Sequence, residues 1–289
     1  MRVLMFGKTG QVACDIARVV QEAGNITLIA LDRAAADLTD GAACSDVIAA
    51  YAGQVDVVIN AAAYTAVDKA ETESNLAHAI NGTTPGAMAR ACAAAGLPFL
   101  HVSTDYVFDG QGTAAWKPDD ATGPLGVYGA SKLDGEARIA AAGGDTAILR
   151  TSWVFSAHGA NFVKTMLRLA ETRDALTVVG DQIGGPTPAY GIAYTLITMA
   201  RAFVAGQGTR GIYHYAGAPD VSWADFARAI FEDTNRAVTV TDIATSAYPT
   251  PAARPPNSRM DCTSLEAAFG IVRPDWREGL TDVLASLDK

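Results

Sequence analysis

Short, almost unbroken apolar runs alternate with longer Ala-rich amphipathic stretches through the first half of the chain. The runs at 3–6, 26–31, 55–60, 98–103 and 147–151 predict strands. The stretches at 12–23, 84–95 and about 128–142 predict helices between them. Strands without polar alternation are buried on both faces, which is the property of a parallel sheet covered by helices. Right-handed crossovers then give an α/β architecture, a doubly wound parallel sheet. After Trp153 the rhythm changes, with breaks at Gly184-Gly185-Pro186-Thr187-Pro188 and Tyr248-Pro249-Thr250-Pro251. Helices are still predicted at 161–171, 190–205, 223–235 and near the C-terminus. The expectation is a main sheet with a smaller, partly discontinuous α/β lobe.

Composition narrows this picture. At 289 residues and 49% apolar content the chain can bury a sizeable core, as one large domain or a domain with a lobe. No apolar run approaches the ~18 residues of a membrane span. The N-terminal run Met1-Arg2-Val3-Leu4-Met5-Phe6 leads straight into a glycine turn and reads as a core strand rather than a leader. A cytoplasmic protein is expected. Cys14, Cys44, Cys92 and Cys262 are scattered, without the spacing of a zinc site or a disulfide framework. A net charge of −9 argues against nucleic-acid binding, which needs a basic face.

Gly7-Lys8-Thr9-Gly10-Gln11-Val12-Ala13 joins the first strand to the first helix. Glycines there allow a tight turn and let backbone approach a pyrophosphate at the helix N-terminus. The Gly-Lys-Thr triplet is not a nucleotide-hydrolase phosphate loop, because Arg2 stands where that motif needs glycine. Asp32 ends the second strand, 22 residues after Gly10, where a carboxylate can bond adenosine ribose hydroxyls. Its neighbour Arg33 could instead tolerate a 2′-phosphate, so both NADH and NADPH stay open. Asp37 and Leu38 lie on a plausible adenine-side loop, or on an ordinary turn. Asn60-Ala61-Ala62-Ala63-Tyr64-Thr65 follows the third strand, where small residues would let a dinucleotide lie close.

Tyr128 and Lys132 share one helix face at i,i+4 spacing. A free phenol titrates near ~10, and an adjacent ammonium would lower that value. Ser103-Thr104-Asp105-Tyr106 leaves the fourth predicted strand on the same sheet edge. A hydroxyl there can hydrogen-bond and polarise a substrate carbonyl. Each part alone is common, since Y-x-x-x-K recurs on amphipathic helices and S-T-D makes turns. The ordered set of hydroxyl, phenol and ammonium is far more specific.

With these residues the chain resembles the extended short-chain dehydrogenase/reductase superfamily, and within it the dTDP-4-dehydrorhamnose reductase family. The resemblance runs through Phe6-Gly7-Lys8-Thr9-Gly10-Gln11-Val12, Asn60 to Glu71, and Ser103-Thr104-Asp105-Tyr106-Val107-Phe108. It continues through Tyr128-Gly129 with Lys132, Arg150-Thr151-Ser152-Trp153-Val154, Asn161-Phe162, Asp181-Gln182 and Gly185-Pro186-Thr187. It ends in Ser246-Ala247-Tyr248-Pro249-Thr250-Pro251, Arg254-Pro255 and Asn257-Ser258, and so spans nearly the whole chain.

The resemblance implies a Rossmann fold and reduction of the C4 ketone of dTDP-4-dehydro-L-rhamnose by NADH or NADPH, giving dTDP-L-rhamnose. Residues 1–152, with returning segments at about 185–215, would form the NAD(P)-binding domain. Residues 153–184 and 216–289 would form the substrate lobe. Tyr128 would protonate the nascent alkoxide, Thr104 would bond the sugar oxygen, and Lys132 would hold the nicotinamide ribose. Tyr128 and Lys132 would also touch the cofactor, and Gly7, Gly10, Gln11, Val12, Asp32, Asp37, Leu38, Ala62, Ala63 and Thr65 would complete its site. Val67, Asp105, Trp153, Asp181, Gln182 and Arg254 would contact the sugar nucleotide, with Arg254 on its diphosphate.

Some relatives dimerise through Mg2+ held by acidic residues. Here position 190 is tyrosine and the chain ends at Lys289 with no acidic tail, so no metal ligands are assigned. A monomer or homodimer is expected, with no nucleic-acid or membrane partner. The alternatives are a related nucleotide-sugar epimerase or dehydratase, and a non-catalytic NAD(P)-binding regulatory subunit. The retained Thr104, Tyr128 and Lys132 weigh against the last.

Overall fold

A computed structural model describes residues 1–287; Lys289, and with it the expected chain end, lies outside the described residues. Five strands follow one another as β1 (Arg2–Phe6), β2 (Thr27–Leu31), β3 (Val57–Asn60), β4 (Phe99–Thr104) and β5 (Thr146–Thr151). A sixth, Gly211–Tyr215, returns from the second half and pairs with β5. The order is Gly211–Tyr215, β5, β4, β3, β1, β2, and every pairing is parallel. The direction of build-up reverses at β1, between β2 and β3, which opens a crevice beyond the carboxyl ends of these strands.

Apolar periodicity explains the layers. In the helix Gln11–Ala23, Ala13, Ile16, Val19 and Val20 are buried at three- and four-residue spacing. They join Val3 and Met5 of β1 and Ile192, Leu196 and Met199 of the helix Ala189–Val204 in one core. On the opposite sheet face Leu4, Phe6 and Val58 pack with Ile48, Met88 and Ile139. Ile48 belongs to Gly41–Tyr51, a helix the sequence reading omits. Its weak amphipathicity hid it, although Asp40 caps its N-terminus by accepting from Ala42 and Ala43 N–H at 3.0 and 2.9 Å.

A third core gathers Phe155, Val163, Leu176, Phe226, Ile230, Trp276 and Leu280 beside the sheet. It holds a parallel pair, Ala175–Val179 with Thr239–Ile243, that alternation did not reveal. Leu265 and Ile271, also late in the chain, pack instead against the first core.

Candidate active site

One cleft of about 830 Å³ runs along the carboxyl edge of the sheet. Its floor at one end is the turn Gly7–Gly10. Gly7 has φ +108°, and a Cβ there would press on Ala61 and Ala62 backbone at 3.3 Å. The conformation favours glycine at that point, and the close backbone adds to the preference. Gly10 is the N-cap of Gln11–Ala23, and no side chain caps that helix. A Cβ on Gly10 would meet nothing within 4 Å. An uncapped helix N-terminus with an open approach suits a pyrophosphate, so the residues present fit a dinucleotide.

Asp32 sits further along this wall, its Oδ1 accepting from Ala34 and Ala35 N–H at 3.1 Å. Its Oδ2 lies 3.7 Å from Lys8 Nζ. Arg33 is turned aside to Asp37 at 3.2 Å. The predicted residues Gln11, Val12, Asp37, Leu38, Ala62, Ala63 and Thr65 line the same cleft.

The other end holds the reactive groups. Thr104 ends β4, while Tyr128 and Lys132 lie one turn apart on the helix Val127–Ala142. All three line the cleft, together with Val67, Asp105 and Trp153. Close approach of this helix depends on Gly135, where a Cβ would collide with Asn81 backbone oxygen. Buried Asn81 fastens the loop after β3, accepting from Tyr64 N–H at 2.8 Å and donating to Tyr64 O and to Ser131 Oγ, both at 3.0 Å.

Burial pushes the Tyr128 phenol up to about 12, with Thr104 hydroxyl opposing the shift and Asp105 adding to it. The ammonium of Lys132 does not lower it, contrary to expectation. Lys132 is itself buried, and its Nζ donates to Val102 O at 2.7 Å and faces His101 Nε2 at 3.1 Å. Burial brings the lysine down to about 8, against the opposing effect of Glu136. Asp105 is pushed up to about 6 by burial, while the hydroxyls of Ser258 (2.5 Å) and Thr104 (3.0 Å) oppose the shift. Tyr106 meets Tyr128 edge-on at 5.5 Å and walls the pocket.

Trp153 holds a left-handed backbone at φ +48°, rare for a bulky residue. Its indole stacks on Trp223 at 3.6 Å between ring centroids, joining the sheet edge to the third core. Such strain tends to cluster at ligand sites.

Three predicted substrate residues do not line the cleft. Asp181 accepts from Thr245 N–H and Oγ1, and Gln182 donates to the same Oγ1 at 3.1 Å. Arg254 is paired with Asp68 at 2.9 Å and donates to Ala252 O at 3.1 Å. It nevertheless lies near enough to oppose in part the rise that burial and Asp105 give the Tyr106 phenol. Sequence reasoning missed His101, Asn81 and Ser258 as supports. The signal for His101 was available: it is a polar residue inside the apolar run of β4. Among the described residues no group of three or more His, Cys, Asp or Glu side chains is placed to hold a metal.

Comparisons with known proteins agree with this geometry. The family model described as RmlD substrate binding domain matches residues 1–289. The chain is 45% identical to a dTDP-4-dehydrorhamnose reductase of Sinorhizobium fredii over 286 residues, covering 96% of this chain and 95% of that protein. It is also similar to the solved dTDP-4-dehydrorhamnose reductase of Clostridium acetobutylicum, with a TM-score of 0.92, 34% identity and full coverage of both chains. The Bacillus anthracis reductase solved in complex with NADP gives a TM-score of 0.91 and 31% identity, covering 99% of each chain. The chain belongs to the dTDP-4-dehydrorhamnose reductase family.

Proposed function

We propose that this protein reduces the C4 ketone of dTDP-4-dehydro-L-rhamnose with NADPH or NADH, yielding dTDP-L-rhamnose as the last step of its synthesis. One observation carries the reading: Thr104, Tyr128 and Lys132 share a cleft with the uncapped helix end behind Gly7–Gly10. When bound, the reduced nicotinamide supplies a hydride to the carbonyl carbon. Tyr128 O–H donates its proton to the carbonyl oxygen as charge develops there. A phenol held near 12 keeps that proton at neutral pH, which is the form a reducing enzyme needs. Thr104 hydroxyl bonds the same oxygen, and Lys132 holds the nicotinamide ribose.

Gly7, Gly10, Gln11 and Val12 take the pyrophosphate side, with Asp32, Asp37 and Leu38 toward adenosine and Ala62, Ala63 and Thr65 along the dinucleotide. Val67, Asp105 and Trp153 are our candidates for direct contact with the sugar nucleotide. Arg254 is our candidate for its diphosphate, after release from Asp68. Asp181 and Gln182 would act from behind, by ordering the loop at Thr245. In this reading residues 1–152 and about 185–215 carry the cofactor, and 153–184 with 216–289 the sugar nucleotide. The enzyme works in the cytoplasm without nucleic acid.

The test is oxidation of NADH and NADPH against a panel of 4-keto nucleotide sugars. Stoichiometric oxidation with dTDP-4-dehydro-L-rhamnose is expected. Indifference to the whole panel would overturn the reading.

A further inference from the structure

Behind the catalytic lysine lies a buried hydrogen-bonded chain that none of the proposed steps uses. Asn60 at the end of β3 and His101 in β4 are register partners, and neither is exposed to solvent. Asn60 Oδ1 accepts from Ala62 N–H at 3.1 Å. That bond fixes the amide, so Nδ2 faces His101 Nδ1 at 3.1 Å. A neutral imidazole has one donor and one acceptor nitrogen. With Nδ1 occupied by the Asn60 donor, the ring proton falls on Nε2, which lies 3.1 Å from Lys132 Nζ.

An N–H aimed at Nζ suits an amine, which offers a lone pair, and opposes an ammonium, which has none. Protonating Lys132 therefore requires the ring to move its proton to Nδ1, breaking the Asn60 bond, or Asn60 to turn away from Ala62. We propose that the Asn60–His101 pair sets the pH at which Lys132 loses its proton, by presenting a donor where an ammonium needs an acceptor. His101 is thus a positioning residue for Lys132.

Burial already lowers the Lys132 value, and the other titratable groups facing it do not add to that effect. From its own helix Lys132 meets Tyr128 one turn before and Glu136 one turn after. Glu136 favours the ammonium, but its oxygens are held by Arg150 of β5 at 2.9 and 2.6 Å and by Ser103 at 2.5 Å. Asp105, just past β4, is tied to Ser258. His101 stays neutral, because burial and Lys132 hold its imidazole well below the ordinary histidine range.

The proposal leans on the reductase reading only for the use made of Lys132. Its test needs no turnover. In the full-length protein labelled with 15N-histidine and 15N-lysine, at a pH above the lysine's midpoint, His101 should carry its proton on Nε2. A proton on Nδ1 there overturns the proposal without any variant. His101→Phe and Asn60→Leu should each move the Lys132 Nζ midpoint upward by about one pH unit, the effect of losing one opposed donor. Midpoints unchanged in both, with NADPH affinity and melting temperature retained, also overturn it. Inert enzyme with the expected tautomer and midpoints would instead count against the reductase reading alone.

Discussion

The two ends of the cleft are built from different materials. At the cofactor end the floor is a turn and small residues: the Gly7–Gly10 turn, the uncapped helix behind it, and Ala61, Ala62 and Ala63. The ion pairs at that end, Lys8 with Asp32 at 3.7 Å and Arg33 with Asp37 at 3.2 Å, are exposed ones that a dinucleotide displaces at small cost. At the other end the groups come from distant parts of the chain and are already engaged. Thr104 donates to Asp105, Asp105 is bonded to Ser258, Lys132 to Val102, and Arg254 to Asp68. The contrast is between a cradle that a ligand fills and a network with which a ligand must compete. It follows that cofactor affinity and catalysis should separate on mutation.

Tyr128→Phe is the sharpest way to show that separation. It removes the phenolic hydroxyl and leaves the Gly7–Gly10 turn untouched, so turnover should fall by ~10²–10⁴-fold. NADPH affinity, measured by quenching of protein fluorescence, should stay within about two-fold of the parent. Full activity in this variant would sink the proton-transfer role. Arg254→Gln tests the competing network. If Arg254 leaves Asp68 for a diphosphate, its loss should raise KM for the sugar nucleotide ~10–100-fold, as for a charge-assisted bond of ~1.5–3 kcal/mol. Asp68→Ala should act the opposite way, lowering KM by freeing the arginine. A rise in KM in both variants would show the pair to be structural.

The same contrast decides what could be read from the residues alone. β1, β3 and the helix Gln11–Ala23 announced themselves because burial on a covered sheet selects mostly apolar side chains. The Gly7–Gly10 turn was legible for a similar reason: a βα junction constrains residue type within a few positions. Tyr128 and Lys132 showed as a pair because both sit on one helix. The network end has no such local rule. Ser258 reaches Asp105 across 153 residues of chain, and Arg254 reaches Asp68 across 186. No periodicity encodes a contact made by two loops brought together in the fold. Asp181 and Gln182 show the converse. Resemblance put them in the substrate list, while the structure bonds both to Thr245, outside the lining of the cleft.

The cradle makes its own prediction of intermediate size. Gly7→Ala places a Cβ at φ +108°, tight against Ala61 and Ala62. Strain of this kind costs ~1–2 kcal/mol, which should appear in the melting temperature and as weaker NADPH binding. Turnover at saturating cofactor should hardly change. A fall in kcat with normal NADPH affinity would show that the two ends are not separate.

The smallest expected effect concerns the strap that crosses between them. Ser156 Oγ donates to Asp15 Oδ2 at 2.9 Å, linking the cofactor helix to the segment after Trp153, and Asn161 Nδ2 donates to Gln11 Oε1 at 3.0 Å beside it. Burial pushes the Asp15 carboxyl up, and the Ser156 hydroxyl counters that shift. Because the folded value is raised above the unfolded one, Asp15 favours the fold most at low pH. That contribution is lost as pH rises through the folded pKa. Ser156→Ala removes the countering bond, so the folded value should rise further and the loss should deepen. Stability by urea titration should drop by ~1 kcal/mol at pH 7 and by less at pH 4, where more of the carboxyl carries its proton than at pH 7. An equal loss at both pH values would mean that Ser156 contributes packing alone, and the strap would carry no charge-dependent link between cradle and network.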